Sequence, residues 1–539
     1  MDRRDFIRLA IASTVAPASS RAFGAAAYGG KLTPPPVQIL ADAGLRQLRE
    51  WMDSGRYSCA SIVEGYLARI DNLDSAGPTL RSVLETNRKA RLLGASRDSE
   101  RRSGLADSPL HGIPLMLKDN VDTAGALSAG MLTTAGSLAL MNSMPSRPST
   151  VAQRLEAVGA LILGKTNLSE WANFRSERSS SGWSGRGGQT RNPHVLNRNP
   201  CGSSSGSAAA VAAGLCAGAI GTETNGSIVC PAGTCGIVGL KPTVGLVSRA
   251  GIVPISASQD TAGPMTIDVT GAAVMLGGIA GVDPRDPATS VATEHLHADY
   301  TQFLDRDGLR GARIGVMRRW SGRHEGVDAV YERALDSLRA AGAELIDPVD
   351  IDNWSDYGEA SYQVLKSEFK DGLNRYLATR IGEGPKSLAE VIAFNDAHAD
   401  TELEWFGQDI MIAAEATAGL QDPAYLEALA TVRRMSRDEG IDAALGEHHL
   451  DAIVAPTNGP AWTTDRVNGD NWVGISSSSA AARAGYPNIT VPAGHVHGLP
   501  IGISLFAGAW SEPLLLRLAY AFEQQHGGRV LPTYRATLP

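Results

Sequence analysis

The sequence predicts an α/β protein: a central sheet covered by helices on both faces, with a helical cap. Three observations predict it. Short apolar runs bounded by Gly, Pro or Asp alternate with segments of helical periodicity, the pattern of strands buried on both faces. Glycine is abundant at 59 residues while aromatics make up 6% of the 539-residue chain, which favours tight loops and close helix–strand contacts over a helical bundle. Residues 356–445 read as mainly helical and charged, with no strong strand signal before Ala452, and form the cap.

The elements follow in order. Residues 28–43 contain the run LTPPPVQ and read as a linker or N-terminal arm. From Gly44 to Ile70 the apolar spacing is helical, with Leu45, Leu48, Trp51 and Met52 on one face and Ile62, Val63, Tyr66, Leu67 and Ile70 on another. The break at Asp53-Ser54-Gly55 makes this a helix–turn–helix. Ala90–Arg102 is a further helix, and Ile113–Leu117, Leu161–Leu163 and Ile237–Leu240 are strands. Helices Val151–Val158 and Ala208–Ala217 lie between them. A strand–helix pair follows at Arg313–Met317 and Val330–Ala341. After the cap come strands at Ala452–Ala455, Ile489–Val491 and Ile501–Phe506, then a helix at Leu514–Gln525. Residues 44–539 read as a single domain.

Residues 1–27 have the pattern of a twin-arginine export signal: Arg3-Arg4, Phe6-Ile7, an apolar run from Leu9 to Ala18, and small residues at Ala22 and Ala25–Ala27. A periplasmic or secreted location is the expectation. No other segment is apolar enough to span a membrane. The net charge is −8 with no long block of one sign, so no nucleic-acid partner is expected. Five cysteines, Cys59, Cys201, Cys216, Cys230 and Cys235, show no CxxC pair and no zinc spacing. They read as small buried packing residues, with a Cys230–Cys235 disulfide as the alternative.

The chemistry concentrates in residues 201–243, a Gly/Ser/Ala-rich stretch with Ser203-Ser204-Ser205 at its front and Ser227 in its middle. Such a backbone comes close to a ligand and leaves hydroxyls and N–H groups available. Lys118, in HGIPLMLKDN, ends an apolar run that reads as a buried strand. Burial there disfavours the ammonium and leaves a neutral amine that accepts a proton. The competing reading is a strand-end lysine reaching solvent. Ser205 and Ser207 read as turn residues or an N-cap for the helix at Ala208. The histidines at 111, 194, 448, 449, 495 and 497 suggest no Ser–His–Asp set.

These motifs resemble the amidase signature family. Gly202-Ser203-Ser204, the run Gly221-Thr222-Glu223-Thr224-Asn225-Gly226-Ser227-Ile228 and the run Cys235–Thr243 stand in the family's order. The GIPLMLKD element around Lys118, KTNLSEWA at Lys165–Ala172 and QDTAGPM at Gln259–Met265 match further family segments. The resemblance covers most of residues 44–530. It implies the amidase signature fold with a mixed central sheet. It also implies a Ser–Ser–Lys triad: Ser227 as nucleophile, Ser203 as bridging serine after a cis peptide bond, and Lys118 as base. Backbone N–H groups of Thr224, Asn225 and Gly226, with Ser227 as a further donor, would form the oxyanion hole, and Ser204 would orient Lys118 by hydrogen bonding. No metal or cofactor, and no obligatory protein partner, is implied.

Two departures bear on substrate. Val229 stands where many family members have Arg, and Asn225 where many have Gly. GSIVCPAG and Ser179–Pro193 resemble the bacterial peptide-amidase branch, whose reaction is release of ammonia from the C-terminal amide of peptides. The alternatives are an amidase of small aryl or aliphatic amides, and a glutamine-hydrolysing subunit of a tRNA-dependent amidotransferase, which the export signal opposes. A non-catalytic binding protein is a further alternative, disfavoured by the intact Lys118, Ser203 and Ser227. A phosphate-binding loop lacks both GxGxxG and GKS/T.

Overall fold

A mixed sheet organises the protein. The computed structural model describes residues 33–538, and Pro34–Pro539 form one compact unit. Residues 1–27, expected to be an export signal, and residues 28–32 of the arm lie outside the described residues; the rest of the arm includes a short helix, Val37–Leu40.

Among the described residues eleven strands pair into the main sheet. In chain order they are β1 (Val83–Thr86), β2 (Pro114–Lys118), β3 (Leu161–Thr166), β4 (Gly218–Glu223), β5 (Val238–Lys241), β6 (Thr261–Thr266), β7 (Arg313–Met317), β8 (Glu344–Val349), β9 (Ala452–Pro456), β10 (Asn488–Val496) and β11 (Leu499–Phe506). Their spatial order is β1-β3-β2-β4-β6-β5-β10-β11-β9-β7-β8. The pairs β3–β2, β2–β4, β9–β7 and β7–β8 are parallel. The remaining pairs are antiparallel. Strands β2, β3, β4 and β6 are buried along their whole length, as strands covered by helices on both faces must be.

The helical expectations hold closely at the N-terminal side. Leu45–Asp53 and Cys59–Arg69 are helices, the second opened by a capping box between Ser58 and Ser61. Ala90–Arg102 is a helix with the expected bounds. Two helix groups pack on the sheet, one comprising Ser205–Ala212 and Val229–Cys235 and another comprising Val269–Ile279, Glu325–Ala340 and Glu512–His526.

The helix expected at Ala208–Ala217 occupies Ser205–Ala212. It ends early because Gly214 adopts φ +62°, a C-terminal left-handed turn that glycine tolerates, and the chain enters β4. Ser205 and Ser207 therefore lie inside the helix rather than capping it. The Ser205 hydroxyl donates to the Cys201 carbonyl at 2.6 Å, and the Ser207 hydroxyl lies 2.7 Å from Thr166 Oγ1. The cap is built of Gly358–Ala378, Leu388–Ala397, Asp409–Glu415, Pro423–Ser436 and shorter turns. Phe369, Leu373 and Leu377 of its longest helix share an apolar cluster with Trp171, Phe174, Val253 and Ile255. The cap thus rests on the two loops beside the site.

Candidate active site

Lys118 is the last residue of β2, completely buried. Its Nζ lies 2.7 Å from Ser203 Oγ, 2.8 Å from Thr222 Oγ1 and 3.2 Å from the Thr222 carbonyl oxygen. Parallel pairing of β2 with β4 sets Leu117 opposite Ile220, which brings Lys118 beside the end of β4 where Thr222 stands. Desolvation pulls the amine down from its ordinary value to about 7, opposed by the more distant charges of Asp260 and Glu223. The solvent-reaching alternative for Lys118 is therefore excluded by its burial.

Burial alone does not single out this lysine. Lys165 and Lys241 are equally buried and each is lowered to about 8 by desolvation. Lys165, however, donates to Thr133 Oγ1 at 3.0 Å and to the Val121 carbonyl, and Lys241 donates to the Pro242 carbonyl. Lys118 is the one of the three that meets a serine of the Gly/Ser-rich stretch.

The peptide bond Gly202–Ser203 is cis, as the resemblance implied. A Cβ at Gly202 would stand 2.2 Å from Ser169 Oγ, so a larger residue would displace that side chain. The Ser203 carbonyl accepts the Ser169 N–H at 3.1 Å, and the Ser204 N–H donates to the Ser227 carbonyl at 3.1 Å. The second of these bonds joins the two serine-bearing segments. Ser204 acts differently from the expectation. Its hydroxyl donates to the Thr222 carbonyl at 3.1 Å and accepts the Thr222 N–H at 3.2 Å. It therefore fixes the residue that holds Lys118, rather than bonding the lysine itself.

Ser227 lies in the turn between β4 and helix Val229–Cys235 and is 8% exposed, while Ser203 is fully enclosed. The turn is organised by Glu223. Its Oε1 accepts the Gly226 N–H at 2.8 Å, and its Oε2 accepts the Ile228 and Val229 N–H groups at 2.7 and 3.0 Å. Three N–H groups converge on one carboxylate, which caps the following helix from behind. This revises the expected oxyanion hole. The Gly226 N–H is committed to Glu223, whereas those of Thr224, Asn225 and Ser227 have no acceptor among the described residues. Gly226 instead makes the turn possible, with a φ of +82°, and a Cβ there would stand 2.9 Å from Ser478 Oγ. The side chains of the two preceding residues are anchored. Thr224 Oγ1 donates to Asp260 at 2.6 Å, and Asn225 Oδ1 accepts from Ser478 at 2.8 Å.

Two cavities flank this turn. One, about 570 Å³, touches Thr222, Glu223, Thr224 and Asn120 and is closed partly by the cap residues Glu368, Arg375 and Tyr376. The other, about 530 Å³, touches Gly202, Asn225 and Gly226 and is walled by Trp320, Trp354, Trp462 and Trp472. Between them the backbone runs left-handed through Trp171 (φ +49°), Ala172 (+56°) and Asn173 (+70°). Such a run is costly for non-glycine residues and persists where surrounding packing imposes it. Ala172 faces the first cavity and Asn173 the second.

The cap is tied to the loop after the Lys118 strand by polar contacts. Tyr376 donates to Asp122 at 2.8 Å, and Arg380 Nη1 donates to Tyr376 at 2.7 Å. Burial raises Asp122 to about 7, so near neutrality its carboxyl is only partly ionised. His111 pairs with Glu100, and the buried His194 lies 2.9 Å from the Cys235 carbonyl. No histidine enters the serine–lysine cluster. Among the described residues no group of three His, Cys, Asp or Glu converges as a metal site.

A disulfide joins Cys201 to Cys230. The sequence suggested Cys230 with Cys235 as a possible pair, but Cys235 is buried with a free thiol, as are Cys59 and Cys216. Cys230 and Cys235 share one short helix five residues apart, on divergent directions, so only a residue from another segment could reach Cys230.

The class of protein follows from comparison with known sequences and structures. The chain belongs to the amidase family: residues 61–516 match the family described as Amidase. It is similar to the native peptide amidase of Stenotrophomonas maltophilia, at 50% identity and a TM-score of 0.87, covering 93% of this chain and 100% of that one. It is similar, at 51% identity and a TM-score of 0.88, to the peptide amidase PAM in complex with the competitive inhibitor chymostatin, covering 92% of this chain and 100% of that one. A probable amidase of Arabidopsis thaliana is 40% identical over 497 residues, 90% of each chain. The protein is an amidohydrolase acting on amides.

Proposed function

We propose that the protein hydrolyses the C-terminal carboxamide of peptides and releases ammonia, using Ser227, Ser203 and Lys118. The observation that carries the reading is the 2.7 Å contact between the completely buried Lys118 Nζ and Ser203 Oγ. Half-identity to peptide amidases over nearly the whole chain supports the substrate class.

In this reading Ser227 Oγ attacks the carboxamide carbon. Its proton passes to Ser203 Oγ as the Ser203 proton passes to neutral Lys118. The oxyanion is received by the backbone N–H groups of Thr224, Asn225 and Ser227, each such donor contributing about 3–4 kcal/mol. The proton returns through Ser203 to the leaving nitrogen, the C–N bond breaks, and ammonia departs. Water then attacks the acyl-enzyme with the same relay taking its proton. Ser227 is restored and a free peptide carboxylate leaves.

Ammonia release from peptide C-terminal amides, free amino-acid amides, aryl amides and glutamine tests the reading, with cleavage of internal peptide bonds followed as fragments. Peptide amides should give the highest kcat/KM. Preference for glutamine or aryl amides would overturn the substrate class, and undiminished turnover by Ser227→Ala would overturn the mechanism.

Export by the twin-arginine route to the periplasm or beyond belongs to the same proposal. The Cys201–Cys230 disulfide supports it, because structural disulfides persist in oxidising compartments. Replacing Arg3-Arg4 by Lys-Lys should retain the protein in the cytoplasm; unchanged export would sink this part.

A further inference from the structure

We propose that the Cys201–Cys230 disulfide is a positioning device for the serine pair, so that amide turnover depends on its oxidised state. The inference rests on the functional reading of Ser203 and Ser227 above. Cys201 stands two residues before Ser203 and Cys230 three after Ser227. The crosslink therefore brackets both hydroxyls of the relay.

Each half of the bond sits at a point that sets a serine. Cys201 is left-handed at φ +59°, an unfavourable geometry for a residue with a Cβ. It is held by its N–H donating to Asn199 Oδ1 at 2.8 Å and its carbonyl accepting from Ser205 at 2.6 Å. The corner aims the next peptide, Gly202–Ser203, at Lys118. Cys230 lies in the first turn of helix Val229–Cys235, and its N–H donates to the Gly226 carbonyl at 2.8 Å. That turn carries Ser227 and the N–H donors.

The other links between the two segments are non-covalent: packing of helix Ser205–Ala212 on helix Val229–Cys235, and hydrogen bonds that include the two exchanged by the Ser204 hydroxyl with Thr222. The Ser204 N–H donates to the Ser227 carbonyl, and Thr234 Oγ1 donates to the Pro200 carbonyl at 2.6 Å. A shift that preserves these hydrogen bonds could still separate the two hydroxyls by a fraction of an ångström, which a relay tolerates poorly. The covalent bond removes that freedom.

Both cysteines line the 530 Å³ cavity on the Gly226 side of the turn, so a small dithiol has a path to them. A thiolate of the reductant attacks one sulfur to give a mixed disulfide. Its second thiol then closes on the first. The protein disulfide is reduced to two thiols and the dithiol is oxidised to a cyclic disulfide. The three remaining cysteines, Cys59, Cys216 and Cys235, are buried, and desolvation pushes each thiol above its ordinary range. Thiol chemistry elsewhere is thereby suppressed.

The test compares the full-length protein with and without dithiothreitol, the crosslink being followed by peptide mass. Turnover is measured well below the melting temperature of the reduced form, with folding followed by circular dichroism. Reduction should lower kcat at least tenfold, leave KM within twofold, and be reversed by reoxidation. Cys201→Ala/Cys230→Ala should show the lowered kcat and no response to dithiol. Labelling of Ser227 by a fluorophosphonate should slow in parallel. Folded, reduced protein with kcat within twofold of the oxidised form overturns the proposal. So does a loss that merely tracks the unfolded fraction, or raises KM alone. If the oxidised protein labels at Ser227 but hydrolyses no amide, the functional reading fails. The labelling rates with and without dithiol then decide the role of the crosslink.

Discussion

Glu223 Oε1 accepts the N–H of Gly226 at 2.8 Å, within a turn that also delivers Ser227. The carboxylate takes three backbone donors in all, two of them on its other oxygen. It therefore shapes the turn in which the N–H groups of Thr224, Asn225 and Ser227 have no acceptor among the described residues. Glu223→Gln presents an amide –NH2 to donors that need an acceptor. We expect a stability loss of about 1–3 kcal/mol and a lower kcat with KM little changed. Denaturant unfolding together with steady-state kinetics checks both.

Lys118 must be neutral to accept a proton, and burial holds it at about 7. The protonated form dominates below that value, so kcat/KM should fall tenfold per pH unit on the acid side. It should level off above an apparent pKa near 7. An acid limb centred near 10, the value of an ordinary lysine, would contradict the assignment. A pH series from 5 to 9 on a peptide amide is sufficient.

Replacing that lysine separates activity from stability. The unfolded chain binds a proton at an ordinary lysine value of 10.5 and the folded chain only below about 7. Between these values the unfolded state holds more protons, so the folded state is penalised, and the penalty shrinks as pH rises towards 10.5. Lys118→Met should abolish turnover yet stabilise the fold at pH 7 by about 1 kcal/mol or more. The gain should diminish at pH 10. Thermal melts at both pH values give the answer.

Ser203 is fully buried and in contact with the lysine rather than open to a ligand. Ser203→Ala should lower kcat by about 10²–10⁴-fold, the usual scale of a lost proton-transfer group. KM should stay within a factor of two. Equal KM and kcat effects would assign Ser203 to substrate binding instead.

Tyr376 anchors the cap to Asp122 and accepts from Arg380. Tyr376→Phe should loosen the cap by about 1–3 kcal/mol. Burial raises Asp122 to about 7 while the Tyr376 hydroxyl favours its charged form, so the bond contributes more at pH 8 than at pH 6. The loss should therefore be larger at pH 8. Hydrogen exchange across residues 358–378 reads it directly.

Much of this was legible in the residues. β7 and the helix Ala90–Arg102 have the expected bounds. Lys118 could be read as a buried base because an apolar strand leads into it. Strands β4 and β6 left little trace, since glycine and threonine occupy the places of β-branched aliphatics. Their glycines are there for contact: Gly221 faces Gly263 across the ladder, and a Cβ on Gly263 would stand 2.0 Å from the Leu240 carbonyl. Close approach of strands and helices erased the hydrophobic alternation by which strands are recognised. The Cys201–Cys230 bond spans 29 residues, and pairing over such a distance is a property of the folded chain. The claim of Glu223 on Gly226 was hidden for a similar reason, because it depends on how a turn curls back on its own strand.

Lys118 receives two oxygens from Thr222 and one from Ser203, and no carboxylate among the described residues stands within ion-pair distance. A proton arriving on this amine finds hydroxyl and carbonyl dipoles but no counter-ion to trap it. Because burial brings its pKa to about 7, protonated and neutral forms are nearly equal in free energy at neutral pH. In the proposed mechanism the same amine serves the forward and the return journey of one proton.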